Sequence, residues 1–336
     1  MPRTQPQITR FAARRHSFAA VAVTLIGVAA ISACAADNDG PALTVDGIEI
    51  SHKQFAALHT DVDVLNDDER AGSAVVLVLR EAMVRNALAD LNVELSAEIV
   101  QAALDEKLAV IEARGNIDDV LGAQNRTRER LQLEAELDTL RTEVAAALVR
   151  SERGGFDIDA AYLQYLLAHA EVCIKQMQFA VEADFDVARA RLDAGENFGS
   201  VARDLSIHPF VQRDEGVGAG GDLGCSPPSA LPPGLAEATI SAPLGEAIGP
   251  VVSSVGLHLL WVDDRTIDEL DAVRDQVLEQ AVPVQGPELF NAWAIAVLQD
   301  ADVVVDDAYG TWGVLPETDP VPTVAPAYRS ADIIAA

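Results

Sequence analysis

The chain changes texture twice, and that double change limits its possible folds more than any other feature. From about Ser51 to Ala170 apolar residues recur at helical spacing, and they do so again after Arg265. Residues 172–265, between the two, read as strands, short helices and a long Gly/Pro-rich passage. A length of 336 residues suits two domains, or one domain carrying an insertion. The pattern points to an α+β protein: helical material from both ends of the chain, with an α/β block inserted between.

Finer signals support that division. Leu43-Thr44-Val45 and Ile48-Glu49-Ile50 flank Asp46-Gly47, a hairpin pattern. Ser51 and Gln54 form a capping-box pattern at the start of a helix. Helices are expected over residues 74–91, from Ser96 to Gly115, over 118–149 and over 159–169. In the insert, strands are expected over 173–181, 248–252 and 258–262, with helices over 186–194, 198–205 and 235–238. Thr266 and Glu269 form a second capping-box pattern, followed by one helix and then another over 287–299. A short strand over 302–306 can pair with 43–50, which would close the helical domain on itself. Residues 313–336 are rich in Pro and Ala without periodicity and are expected to be a disordered tail. Asn125-Arg126-Thr127 matches a glycosylation sequon and reads as a chance match.

The N-terminus is a targeting segment rather than part of the fold. Arg3, Arg10, Arg14 and Arg15 precede an uncharged apolar run over 18–33 that ends at Ile31-Ser32-Ala33-Cys34. That is the layout of a signal peptide over residues 1–33. The run is short for a membrane span, which needs about 20 apolar residues. Its ending resembles a bacterial lipobox, which implies lipidation of Cys34 and a tether over 34–42. Ordinary signal cleavage beside an incidental cysteine is the alternative.

Charge narrows the partners. The chain carries 24 Lys+Arg against 53 Asp+Glu, net -29, and the leader contributes four arginines and no acid. An acidic exported chain is a poor match for nucleic acid or for an anionic lipid surface. No His or Cys cluster has zinc spacing, and no phosphate-loop, dinucleotide or G-x-S-x-G motif occurs, so neither metal nor cofactor is expected. With Cys34 set aside, Cys173 and Cys225 remain as an even pair in an oxidising compartment.

Four sequence blocks carry a resemblance. They read Ala194-Gly195-Glu196-Asn197-Phe198, Ala202-Arg203-Asp204-Leu205-Ser206, Gly220-Gly221-Asp222-Leu223-Gly224-Cys225, and Gly249-Pro250-Val251-Val252-Ser253 running on to Gly256-Leu257-His258-Leu259-Leu260-Trp261-Val262. In this order and spacing, residues 172–265 resemble a parvulin-type peptidyl-prolyl isomerase domain. The whole layout looks like that of the SurA-like and PrsA-like extracytoplasmic foldases. The resemblance implies a chaperone-like helical domain from residues 43–171 and 266–312, around a parvulin-like domain with a small antiparallel sheet and flanking helices.

The resemblance also assigns residues. The proline pocket maps onto Leu223, Leu231 and Leu235, of which the last two, four apart, would share a face in a helical turn. The family's polar core contains two histidines, a Cys or Asp, and a Thr or Ser. His258 matches the second histidine and Ser253 the Thr/Ser. Gln176 stands at the first histidine, and His208 falls at the Cys/Asp position. The plainer alternatives are that the leucines are core and that His258 is a buried histidine holding the fold. The parvulin fold brings the segments of Cys173 and Cys225 together near the site, which implies a disulfide; two buried free thiols are the alternative. Arg213 is the sole basic residue between Leu205 and Arg265, which argues against a phosphoserine-proline preference.

Three functions follow in turn. One is a foldase that isomerises X–Pro bonds in unfolded, exported polypeptides while anchored to the membrane through Cys34. Another is a chaperone whose parvulin module binds peptide without turnover, which the changes at Gln176 and His208 favour. The last is a structural envelope lipoprotein that reuses the fold.

Overall fold

The computed structural model describes residues 40–314 and 322–325. The expected signal segment, Cys34 and most of the expected tail lie outside the described residues. The chain enters through a hairpin of β1 (Leu43–Val45) and β2 (Ile48–Ile50). Its two turn residues, Asp46 and Gly47, have φ of 49° and 81°, the pair of positive values that a tight two-residue hairpin needs. Ser51 and Gln54 cap α1 (His52–Ala56) reciprocally. A second capping box, Asn66 with Glu69, opens α2 (Asp67–Leu91) about two turns earlier than the apolar spacing suggested. Ser96 caps α3 (Ala97–Glu112).

The single helix expected over 118–149 is two: α4 (Ile117–Ala123) and α5 (Arg128–Arg150). Between them Asn125 takes a left-handed conformation, φ 51°, and Thr127 caps α5. The Asn125 amide accepts from Thr60 Oγ1 and the Asp61 N–H and donates to the Asp61 carbonyl, while Thr127 Oγ1 donates to the Ala57 carbonyl. These side chains compete with the helix for backbone partners and end it. The sequon is thus a structural tie between the α4–α5 turn and the loop after α1. α6 (Ile158–His169), capped by Asp157, completes the first helical segment.

The inserted domain begins at β3 (Glu171–Phe179), followed by α7 (Glu182–Asp193), α8 (Phe198–Leu205), β4 (Asp222–Ser226), α9 (Pro233–Ser241), β5 (Ala247–Ser253) and β6 (Gly256–Thr266). The four strands form an antiparallel sheet in the order β4-β3-β6-β5.

After β6 one helix runs where two were expected: α10 (Leu270–Asp300) passes through Pro283 and Pro287. Thr266 ends β6, and Glu269 stands at the helix start without a side-chain cap bond, so the second capping box does not form. Packing carries the helix past its prolines. Val273, Val277, Leu278 and Ala281 before them, and Leu289, Phe290 and Ala294 after, are buried in one core with Met83 and Ala87 of α2, Leu140, Val144 and Leu148 of α5, and Tyr165 and Leu166 of α6. Between the prolines, Gln285 exchanges two hydrogen bonds with the Asp157 backbone.

A second core gathers the ends of the helical material: Leu43, Val45, Ile50, Phe55, Leu77, Val78, Val297, Leu298 and Tyr309. Over it β7 (Val303–Val305) pairs antiparallel with β1, Leu43 facing Val305. Tyr309 meets His52 Nδ1 at 2.6 Å and stacks at 4.1 Å on Phe55. Part of the expected tail is ordered: β8 (Thr311–Val314) pairs with β9 (Pro322–Ala325), and half-buried Trp312 packs on the second core.

A Cβ at Gly286 on α10 would stand 3.1 Å from Ala145 Cβ of α5, whereas one at exposed Gly72 on α2 would meet nothing. Gly286→Val is therefore expected to cost about 1–3 kcal/mol by overpacking, while Gly72→Ala gains about 0.5–1 kcal/mol of helix stability. Urea unfolding of the two variants checks both signs.

Candidate functional site

Strand alternation divides the residues of the inserted sheet between two faces. Met177 and Phe179 of β3, and Leu257, Leu259 and Trp261 of β6, pack with Phe185, Ala188, Phe198 and Val201 of α7 and α8. The opposite face carries Val172 and Ile174 of β3 and Val262 of β6, with Ala242 and half-buried Leu223, Leu231 and Ile248 packed against them. Alternation puts Gln176, His258 and Leu260 on this second face as well. The register sets Gln176 across from Leu260, and His258 between Gln178 and Val251.

The loop before β4 reaches this sheet because it is glycine there. Gly221 has φ 85°, and a Cβ on it would stand 2.5 Å from the Gln176 carbonyl oxygen and 3.1 Å from the Phe198 ring. A side chain at this position would push the loop off β3.

His258 is 1% exposed. Its Nε2 lies 2.8 Å from Ser253 Oγ, which also accepts the Val255 N–H. Its Nδ1 is buried without a hydrogen-bond partner, and so is Nδ1 of His208. His208 is brought to the site by stitching: Ser206 Oγ accepts from the N–H groups of Gln178 and His208, and the Ile207 N–H donates to the Gln178 carbonyl. Burial holds the His208 imidazole below the ordinary histidine range. Burial, and then the charge that His208 would carry, does the same for His258. Both rings are therefore kept neutral near pH 7, as desolvation of the charged form requires.

Three of the four polar residues expected from the sequence thus share one sheet face, Gln176 in β3, Ser253 at the end of β5 and His258 in β6, while His208, in the loop after α8, lies close enough for its charge to act on His258. Of the leucines, Leu223 and Leu231 are half-buried on that face. Leu231 and Leu235 do not share a helical turn. Leu231 is extended, φ −98° and ψ 158°, because Pro232 follows it and disfavours helix, and α9 starts only at Pro233. Leu235 lies in α9 and is fully buried. The structure bridges Cys173 and Cys225, which stand directly opposite each other in the β3–β4 register.

Two contributors were missed in the sequence. Gln178, across from His258, donates to the Val255 carbonyl and so braces the β5–β6 turn; its signal was the two-residue step from Gln176. Phe210 stands edge-on to His208 at 5.7 Å, with the Arg213 guanidinium 3.8 Å above its ring. An aromatic residue within a Gly/Pro-rich passage was its signal. The lone cation of that passage is thus engaged with an aromatic face. Among the described residues no group of three or more His, Cys, Asp or Glu could hold a metal ion.

Ser253→Ala leaves a buried imidazole nitrogen without a partner and is expected to cost about 1–3 kcal/mol in urea unfolding. Because folding lowers both histidine pKa values, stability is whole above the unfolded value of about 6.5 and falls as the pH drops from there towards the folded values. Thermal unfolding from pH 8 to pH 5 should show this loss, and it should shrink in His258→Gln.

Comparison with known proteins finds a matching domain family and several relatives. Residues 166–264 match the PPIC-type PPIASE domain of the rotamase family. Over 314 residues the chain is 26% identical to the foldase protein PrsA of Halalkalibacterium halodurans, covering 87% of this chain and 86% of that one. Over 106 residues it is 28% identical to the periplasmic chaperone PpiD of Haemophilus influenzae, covering 32% of this chain and 16% of that one. Among solved structures, a peptidylprolyl isomerase (PrsA) from Bacillus cereus matches 79% of this chain and 94% of its own at 17% identity and a TM-score of 0.49. Residues 166–264 thus form a parvulin-type, PpiC-type peptidyl-prolyl isomerase domain, in a chain similar over most of its length to a PrsA foldase.

Proposed function

We propose that the sheet face of Leu223, Leu231, Gln176, His208, Ser253 and His258 binds X–Pro segments of unfolded, exported polypeptides and accelerates their cis–trans rotation. The observation that carries this reading is the hydrogen bond between half-buried Ser253 and buried His258 on the same sheet face, opposite α7 and α8, that carries half-buried Leu223 and Leu231. Rotation about an X–Pro bond is opposed by a barrier of about 18–20 kcal/mol, because the planar amide is resonance-stabilised. A thousandfold acceleration requires about 4 kcal/mol of preferential binding to the twisted amide. No bond is made to the protein, so neither nucleophile nor cofactor is needed.

The leucines supply an apolar surface for the proline ring. The imidazoles supply desolvated polar atoms whose orientation is set before the client arrives, which is where electrostatic stabilisation is strongest. Ser253 Oγ accepts the Val255 N–H and is free to donate its own proton to His258 Nε2, which leaves the ring proton on Nδ1. A donor at that buried atom favours a twisted amide, whose nitrogen regains a lone pair, over the planar one.

The helical domain built from residues 43–171 and 266–312 is read as the chaperone part, acting on the same clients. Lipid on Cys34 would hold the protein to the extracytoplasmic side of the membrane. No helix among the described residues is long and apolar enough to cross one. The net charge of -29 makes nucleic acid an unsuitable partner.

Exchange NMR of cis–trans interconversion in an Ala-Leu-Pro-Phe-type peptide, with the full chain in detergent, tests the site. Catalysis is expected, and Leu231→Ser should lower kcat/KM about tenfold, equal to about 1.4 kcal/mol of transition-state binding. Peptide binding without acceleration would instead favour a non-catalytic chaperone, in line with Gln176 at the first histidine position. For the anchor, Cys34→Ser is expected to move the protein from the membrane fraction to the soluble one, and mass spectrometry of the wild type should find the lipid on Cys34.

A further inference from the structure

The pocket residue Leu223 depends on a strand with little else to hold it. β4 has five residues, lies at the edge of the sheet and among the described residues pairs only with β3. Its register is irregular: Cys225 faces Cys173, Gly224 faces Ile174, and Asp222 faces Lys175, so Leu223 is one residue too many. In an unbroken strand Leu223 and Cys225, two apart, would share a face. The bulge separates them. Leu223 packs with Val172, Ile174 and Val262 on the client-binding face, while Cys225 is exposed and its partner Cys173 half-buried. Gly224 allows this with φ 69°, and Asp222 Oδ1 braces the bulge by accepting the Gly224 N–H.

We propose that Cys173 and Cys225 are positioning residues of the isomerase site, whose disulfide clamps the edge strand to β3 and so fixes the bulged Leu223 against the face that receives proline. The inference rests on the assignment of that face to X–Pro binding. Short edge strands open at low free-energy cost, and the covalent bridge lies one register pair beyond the Ile174–Gly224 pair that borders the bulge. Ser253 and His258 sit on β5 and β6, on the far side of β3, and do not depend on the bridge. Opening it should therefore weaken capture of the proline ring and leave the step after binding intact. A dithiol can open it: a thiolate attacks one sulfur, the second thiol displaces the mixed disulfide and closes the reductant's own ring, and two electrons and two protons leave both cysteines as thiols.

The full chain in detergent is assayed with the Ala-Leu-Pro-Phe-type peptide, oxidised and after dithiothreitol, beside Cys173→Ser/Cys225→Ser, with hydrogen exchange read over residues 222–226. Reduction is expected to raise KM about fivefold with kcat changed less than about twofold. It should also speed exchange in β4 but not in β5 or β6, and reoxidation should reverse both effects. The double variant should match the reduced protein and ignore dithiothreitol. Equal KM in the two states overturns the proposal while leaving the isomerase reading intact, and so does a fall confined to kcat. If the oxidised protein turns nothing over, the isomerase reading fails; peptide affinity by NMR titration then decides, and equal or absent binding in the two states overturns the clamp. Loss of the whole domain's exchange protection on reduction and in the double variant also overturns it, because the bridge would then hold the fold rather than the pocket.

Discussion

The antiparallel pairing of β3 with β6 is the contact on which the rest of the structure depends. It runs from Glu171 opposite Thr266 to Phe179 opposite Leu257. Its first pair is also the neck of the inserted domain, because α6 leads into Glu171 and α10 follows Thr266. Zipping these strands brings together residues almost a hundred positions apart, a closure whose entropic cost grows only slowly with loop length. The helical core profits directly. With the neck closed, Tyr162 and Tyr165 of α6 reach Asp268, and Gln280 of α10 meets His169. The same pairing fixes which side chains face α7 and α8 and which face the site, since a one-residue slip would exchange them.

That register explains how two buried imidazole nitrogens can stand without partners. An unsatisfied buried polar atom costs about 1–3 kcal/mol, and natural proteins keep few of them. His258 is locked by strands on both sides and by Ser253, so its ring cannot turn to find Nδ1 another partner within the fold. His208 is held by its backbone and by Ser206. Neither arrangement serves stability, and His258 lies on the face that carries Leu223 and Leu231 with His208 near it. A group left unsatisfied in a native fold calls for an explanation, and the proposed client site supplies one.

What could be read from the sequence was what is local. The Asp46-Gly47 hairpin, the Ser51 and Ser96 caps and the glycines of Gly220-Gly221-Asp222-Leu223-Gly224 act within a few residues, and each does in the fold what its chemistry demands. The misreadings came from residues whose effect depends on distant partners. Asn125 breaks a helix because Thr60 and Asp61 are there to bond it. Pro283 and Pro287 fail to break one because the core around them outweighs a lost hydrogen bond. Trp312 orders part of the expected tail because a core waits for it. In the site, Leu231 was assigned to a helical turn by spacing alone, although Pro232 already argued for extended backbone.

The two departures from the family's polar core also look different once the residues are in space. The resemblance calls for two histidines, one of them in the opening strand, and a Cys or Asp in the loop. Here the strand position is Gln176 and the loop position is His208. Both positions feed the same sheet face, so the imidazole count is kept while one ring has moved from strand to loop. Gln176 can donate and accept hydrogen bonds but cannot carry a titrating proton, whereas His208 can. The change also removes a possible carboxylate from beside His258. Without that anion nothing offsets desolvation, and His208, when charged, pushes the same way. In the proposed site, imidazoles kept neutral at neutral pH suit hydrogen bonding with a twisted, uncharged amide better than binding of an anion.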